Sequence, residues 1–171
     1  VGDEAIKIKE ALHLALQRSE IIIFTGGLGP TPDDLTKEVV CEALGMKMET
    51  LPKVYDALKA YFHKMGKEMP ISNEKQAKFP INAKILPNDC GTASGCLLEA
   101  QVKMIILLPG PPKEMQPMCS NYVLPLLKNR SSIAIKHLDI KCFGIGESEL
   151  AEKIKPLLGE QDGANIATYI N

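Results

Sequence analysis

Apolar residues recur at Ala5, Ile8, Leu12, Ala15 and Leu16, the spacing of one helix face, and Asp3 suits the N-cap. The pattern then changes. Ile21-Ile22-Ile23-Phe24 is a continuous, β-branched run, which predicts a strand buried on both faces in a parallel sheet. Gly26-Gly27-Leu28-Gly29-Pro30 breaks it. Thr31-Pro32-Asp33-Asp34 predicts a helix start, with Thr31 as N-cap, Pro32 at the first helical position and Asp34 at the capping-box position. That helix carries Leu35, Val39, Val40, Ala43 and Leu44 and stops at Gly45.

A further helix is predicted over 54–64, opened by Pro52 and closed near Gly66, and a short one over 74–78. Strands are predicted at 83–86, 96–100 and 104–108, the last two joined by a tight turn, with a polar loop at 88–95. Pro109-Gly110-Pro111-Pro112 ends the third of these strands and opens a helix running to about Leu127. Beyond residue 131 the pattern predicts a strand over 133–143, a helix over 147–158 and a strand over 165–170. Strand, glycine loop and helix recur in order, so the expected fold is α/β with a mainly parallel sheet. The expected organisation is an α/β domain at 1–131 and the start of a smaller α+β unit at 132–171.

Composition narrows the function classes. Twenty basic and 21 acidic residues leave a net charge of −1, which excludes a globally basic nucleic-acid binder. No apolar run reaches the ~20 residues of a membrane span, and no signal-peptide pattern is visible. The five cysteines, Cys41, Cys90, Cys96, Cys119 and Cys142, are odd in number and form no C-x-x-C pair. Reduced thiols in a cytoplasmic protein are therefore expected. The chain opens on Val1-Gly2-Asp3 without Met and closes within a predicted strand, so either an excised fragment or a longer chain described only in part is expected.

Two loops carry candidate chemistry, residues 25–36 and 108–114, each between an apolar strand and a helix. Such loops lie at the carboxyl ends of strands, where doubly wound sheets bind ligands. Gly26, Gly27 and Gly29 permit close backbone approach and present N–H groups, and the following helix start adds partial positive charge. This suits a phosphate or diphosphate. A capped strand-to-helix turn explains the glycines about equally well. No Lys completes a P-loop, and Pro32 stands where the dinucleotide fingerprint needs its third Gly. Asp33 and Asp34 suit the dipole of a first helical turn. Beside an anion site they also suit a divalent ion, magnesium or manganese before zinc. His13, His63 and His137 are scattered and form no catalytic arrangement with Ser, Cys or Asp.

Five stretches together resemble the molybdopterin-binding (MogA/MoaB-like) family, and within it the N-terminal domain of CinA, the competence/damage-inducible proteins. They are TGGLGPTPDDLTKE at 25–38, NEKQA at 73–77, GTASG at 91–95, LPGPPKEM at 108–115 and FGIGESEL at 143–150. Leu28 and Asp33 stand where the wider family has Thr and often Arg, and both follow the CinA type. The resemblance implies a three-layer α/β/α sandwich with a further strand and Gly-Thr-Glu loop ahead of Asp3. It implies a metal-dependent pyrophosphatase cleaving ADP-ribose to AMP and ribose 5-phosphate, with magnesium, manganese or cobalt. The alternative is a non-catalytic module binding a pterin or nucleotide phosphate. By motif match, Asp34 and Asp3 would be the catalytic and metal-binding acids. Gly26, Gly27, Gly29 and Thr31 would hold the phosphates, and Gly91, Thr92, Gly110 and Pro111 would shape the rest of the pocket. A homo-oligomer, dimer or trimer, is also expected, with neither membrane nor nucleic acid as partner. The nicotinamide-nucleotide deamidase domain that CinA proteins often carry corresponds to none of these motifs.

Overall fold

The helical spacing from Ala5 produces α1 (Ala5–Arg18), which buries Ile8 and Leu12. Its N-cap is Glu4, not Asp3, and carries no side-chain capping bond. The computed structural model describes residues 1–100, 102–130, 136–161 and 163–169, and divides into two compact units, Val1–Ser132 and Ile133–Asn171.

In the larger unit, β1 (Ile21–Thr25) is followed by the glycine turn and α2 (Thr36–Ala43). The helix starts four residues later than Pro32. The expected capping-box contact is made, the Asp34 carboxylate accepting from the Thr31 N–H, but it closes only a single turn, Asp34 N–H to the Thr31 carbonyl, ahead of α2. A ribbon of β2 (Met48–Thr50) and β3 (Lys78–Pro80) pairs antiparallel, an element too short to show as a pattern. Between its strands lie α3 (Pro52–Lys64), with Pro52 at its first turn, and a 3-10 segment, Ile71–Ala77. The main sheet is completed by β4 (Lys84–Leu86), β5 (Gly95–Ala100) and β6 (Lys103–Leu108). A helical run follows: α4 (Pro112–Met118), a π-helical stretch at Cys119–Val123, and α5 (Leu124–Arg130).

The sheet order is β1-β6-β5-β4. The pairing of β1 with β6 is parallel, with Ile22 opposite Ile105 and Thr25 opposite Leu108. The other two pairings are antiparallel, so the sheet is mixed and the expectation of a mainly parallel one is corrected. The reason is connection length. A tight turn between β5 and β6, and the 87–94 loop between β4 and β5, are too short for parallel crossovers.

Side chains of β6 alternate between two cores. Ile105 and Leu107 face Ile8, Leu12, Val40, Leu58 and Phe79. Met104, Ile106 and Leu108 face Leu86, Leu97, Met118 and Val123. Helices α1, α2 and α3 thus cover one face and the α4–α5 run the other, giving the three-layer α/β/α arrangement. β1 departs from expectation: it is the edge strand, and Ile21 and Ile23 are 41% and 47% exposed while Ile22 is buried. Neither side chain joins the core packed under the α4–α5 run. A groove of about 370 Å³ opens along α1 and β1 and reaches Gly26 and Gly27.

The smaller unit holds α6 (Glu147–Lys153), a 3-10 turn at Lys155–Leu157, and a hairpin of β7 (Gly159–Gln161) and β8 (Ala164–Ile166). The expected helix to Leu158 ends early because Pro156 cannot continue it. Of the expected strand at 133–143, residues 133–135 lie outside the described residues and 136–143 are not strand. Leu138, Ile140 and Phe143 are exposed there, with no partner strand among the described residues to bury them. The expected strand at 165–170 is the shorter β8, and residue 170 lies outside the described residues.

Candidate functional site

The parallel register of β1 and β6 delivers the two glycine turns to the same end of the sheet. Thr25 pairs with Leu108, and the Gly26 N–H donates to the Leu108 carbonyl at 2.9 Å. At their close approach both turns carry glycine. A Cβ on Gly110 would sit 3.3 Å from the Cα of Gly26. Gly26 and Gly27 have φ of +93° and +68°, where side chains are strained. A Cβ on Gly27 would also overlap the Thr36 hydroxyl, and the Gly27 carbonyl accepts from the Thr36 N–H at 3.2 Å. With these bonds made, the N–H groups of Gly27, Leu28 and Gly110 have no acceptor among the described residues. Unpaired backbone donors in neighbouring turns are the kind of groups that anion-binding nests use.

Asp34 organises the other side of the turn. Its Oδ2 accepts from the Thr31 N–H at 3.0 Å and the Thr31 hydroxyl at 2.5 Å. Burial raises its pKa, but the Thr31 hydroxyl, the N–H groups of Thr31 and Gly29, and the charge of Lys75 outweigh that. The carboxyl is held below its ordinary value and stays ionised. Gly29 has no room for a side chain because the Asp34 carboxylate fills that space.

The 3-10 segment clamps the turn from outside. Its Lys75 ammonium donates to the carbonyls of Thr31, at 3.1 Å, and Asp34. Gln76 is buried, bonds the Asn73 side-chain amide at 2.8 Å and reaches the Leu28 carbonyl at 3.4 Å. Beneath them Lys37 is 2% exposed, donates to the Lys75 carbonyl at 3.0 Å and lies over the Phe79 ring at 4.1 Å. Burial lowers its pKa. Neither Lys75 nor Gln76 is a candidate on sequence grounds. The sequence signal is the NEKQA stretch itself, one of the five carrying the resemblance, to which no residue role is attached.

The remaining candidates fall into two places. Gly91 packs on the Glu114 carboxylate of α4, which accepts from the Asn88 amide at 2.6 Å; that amide also donates to the Ala93 carbonyl at 3.0 Å. Thr92 is half-buried in the same loop, and Pro111 is the N-cap of α4. Asp3 lines the groove with Gly26, Gly27 and Thr36, whereas Asp34 faces Gly29 and Thr31. Among the described residues, no three His, Cys, Asp or Glu are grouped to hold a metal ion. Leu28 turns inward and is 4% exposed in the core, so its side chain does not face a ligand.

A family profile described as "probable molybdopterin binding domain" matches residues 1–129. The crystal structure of CinA from Thermoplasma acidophilum, a protein described as of unknown function, is similar with a TM-score of 0.65 and 30% identity over 72% of each chain. The chain belongs to the molybdopterin-binding domain family, in its CinA branch. Family members described as competence-damage inducible proteins are similar throughout. That of Caldicellulosiruptor saccharolyticus is 47% identical over 99% of this chain and 41% of its own length. That of Thermoanaerobacter pseudethanolicus is 48% identical over 92% of this chain and 38% of its own. The chain thus spans about two-fifths of the CinA relatives it matches. Among the described residues, no helix of this CinA-branch chain is long and apolar enough to cross a membrane.

Proposed function

We propose that this domain binds the diphosphate of a nucleotide of the ADP-ribose class in the paired glycine turns and hydrolyses it. The observation that carries the reading is the set of unpaired N–H groups on Gly27, Leu28 and Gly110, in turns held together at Gly26 and Gly110. Such donors match phosphate oxygens and need no rearrangement to accept them. Water would attack one phosphorus and break its bond to the bridging oxygen. That oxygen would leave on the other phosphate and take up a proton, giving AMP and ribose 5-phosphate.

A divalent ion, magnesium, manganese or cobalt, would neutralise phosphate charge and activate the water. The residues fit an ion carried in on the substrate and not a protein-built cage. Magnesium-type sites commonly use one or two carboxylates plus substrate oxygens. The two Thr31 bonds fall on Asp34 Oδ2 and leave Oδ1 clear of Thr31, and Asp3 is exposed on the groove side. Asp34 would hold the ion or orient the water, with Asp3 as the second candidate.

A second reading is a pterin- or nucleotide-phosphate-binding module without turnover. It is favoured by the commitment of Asp34 Oδ2 to Thr31. The test is AMP release from ADP-ribose by the purified protein with each of the three metals. Turnover supports the hydrolase. Tight binding without turnover supports the module.

A further inference from the structure

The Asp34 carbonyl precedes α2, and no backbone N–H reaches it among the described residues; its partner is the Lys75 ammonium. The same ammonium holds the Thr31 carbonyl at 3.1 Å. Glu38 supplies a third oxygen. Both its carboxylate oxygens are sealed from solvent without a hydrogen bond among the described residues, and Oε2 lies 4.0 Å from Lys75 Nζ. A carboxylate so placed is costly unless a cation faces it. Two carbonyls at hydrogen-bond distance and a carboxylate at 4.0 Å thus face one positive charge, supplied here by a side chain. Lys37 anchors the Lys75 backbone from below.

We infer that Lys75 is a positioning residue that acts as a tethered cation: its ammonium gathers the Thr31 and Asp34 carbonyls beside the buried Glu38 carboxylate and so fixes the loop that carries Asp34. What the loop binds rests on the phosphate reading above; what holds the loop does not. Lys75 touches no ligand in this scheme. It sets where the Asp34 carboxylate and the neighbouring N–H groups stand.

The test uses the full chain with Lys75→Ala, alone and combined with Glu38→Gln, so that one variant leaves no uncompensated carboxylate. Amide hydrogen exchange at Asp34 and Thr36, which bond the Thr31 and Gly27 carbonyls, reads the loop without ligand. Exchange there is expected to rise about tenfold or more in both variants, while Ile105 and Ile106 in β6 keep their protection. Methylammonium or potassium chloride should restore protection, and tetramethylammonium chloride at equal ionic strength should not. Inorganic pyrophosphate binding, read by calorimetry, should weaken about tenfold and return with methylammonium. Unchanged exchange at Asp34 and Thr36, a rise spread evenly through β6, rescue by tetramethylammonium, or no rescue by methylammonium each overturns the inference. If pyrophosphate does not bind the wild-type chain, the phosphate reading fails instead, and the exchange data still decide the clamp.

Discussion

Gly29 and Asp34 share one space: a Cβ on Gly29 would come within 2.9 Å of Asp34 Cγ and overlap its Oδ2. The crowding at this glycine comes from a carboxylate five residues away, not from its own backbone angles. Gly29→Ala should displace that carboxylate from Thr31 and destabilise the chain by about 1–3 kcal/mol, the usual cost of overpacking. Urea unfolding measures it. Wild-type stability would mean that the Asp34 side chain moves aside freely.

Asp34→Asn separates structure from chemistry. Asparagine keeps one acceptor oxygen for the Thr31 N–H and hydroxyl, so melting should stay close to wild type. The charge and the base are lost, so ADP-ribose hydrolysis should fall by ~10²-fold or more. Asp34→Ala should in addition lose about 0.5–2 kcal/mol of stability, as other lost capping bonds do. Retained turnover in the asparagine variant together with a lower melting temperature would make Asp34 a loop staple only, and Asp3 the next residue to replace.

The lowered pKa of Asp34 sets a pH window. A carboxyl depressed in the folded state adds stability above its unfolded value, near ~3.9, and loses it as pH falls through the folded value. Protection of the Thr31 amide should hold from neutral pH to below the ordinary carboxylate range. It should then collapse on further acidification. Loss of protection nearer pH 6 would contradict the assignment.

Leu28→Thr tests whether the core or the ligand needs this residue. The substitution removes methyl volume and buries a hydroxyl in a site 4% exposed. It should cost about 2–4 kcal/mol, by analogy with other core truncations. The ratio of affinities for ADP-ribose and a pterin phosphate should not change. A changed ratio at equal stability would place the side chain at the ligand.

Thiol labelling checks the core. Burial pushes the Cys96 thiol up to about 12 and the Cys41 thiol up to about 11, while Cys90 and Cys142 are exposed. At mildly alkaline pH the native chain should be alkylated at Cys90 and Cys142, with Cys41 and Cys96 modified only after unfolding. Mass spectrometry of the labelled peptides decides it.

Local pattern was enough for the elements whose signal is local. The helical spacing from Ala5, the apolar runs at 21–24 and 104–108, Pro52 opening α3 and the glycine turns all lie where the sequence places them. The motif-bearing loops were legible for the same reason, since glycine and proline punctuate the chain regardless of what packs around them. Tertiary structure decided what depends on partners distant in sequence. Ile21 and Ile23 read as core, yet whether a strand is central or at the edge is set by its neighbours in the sheet. The start of α2 moved from Pro32 to Thr36 although Asp34 makes the capping-box bond to the Thr31 N–H, because the Asp34 carbonyl is held by Lys75 and not by a helical N–H. Lys75 stands 41 residues from Asp34, and nothing in either residue's local sequence announces the other. A lysine is a solvated charge until the fold seals a carboxylate beside it and offers it two carbonyls. Desolvation of that kind is a property of the packed molecule, and no stretch of the chain carries it alone.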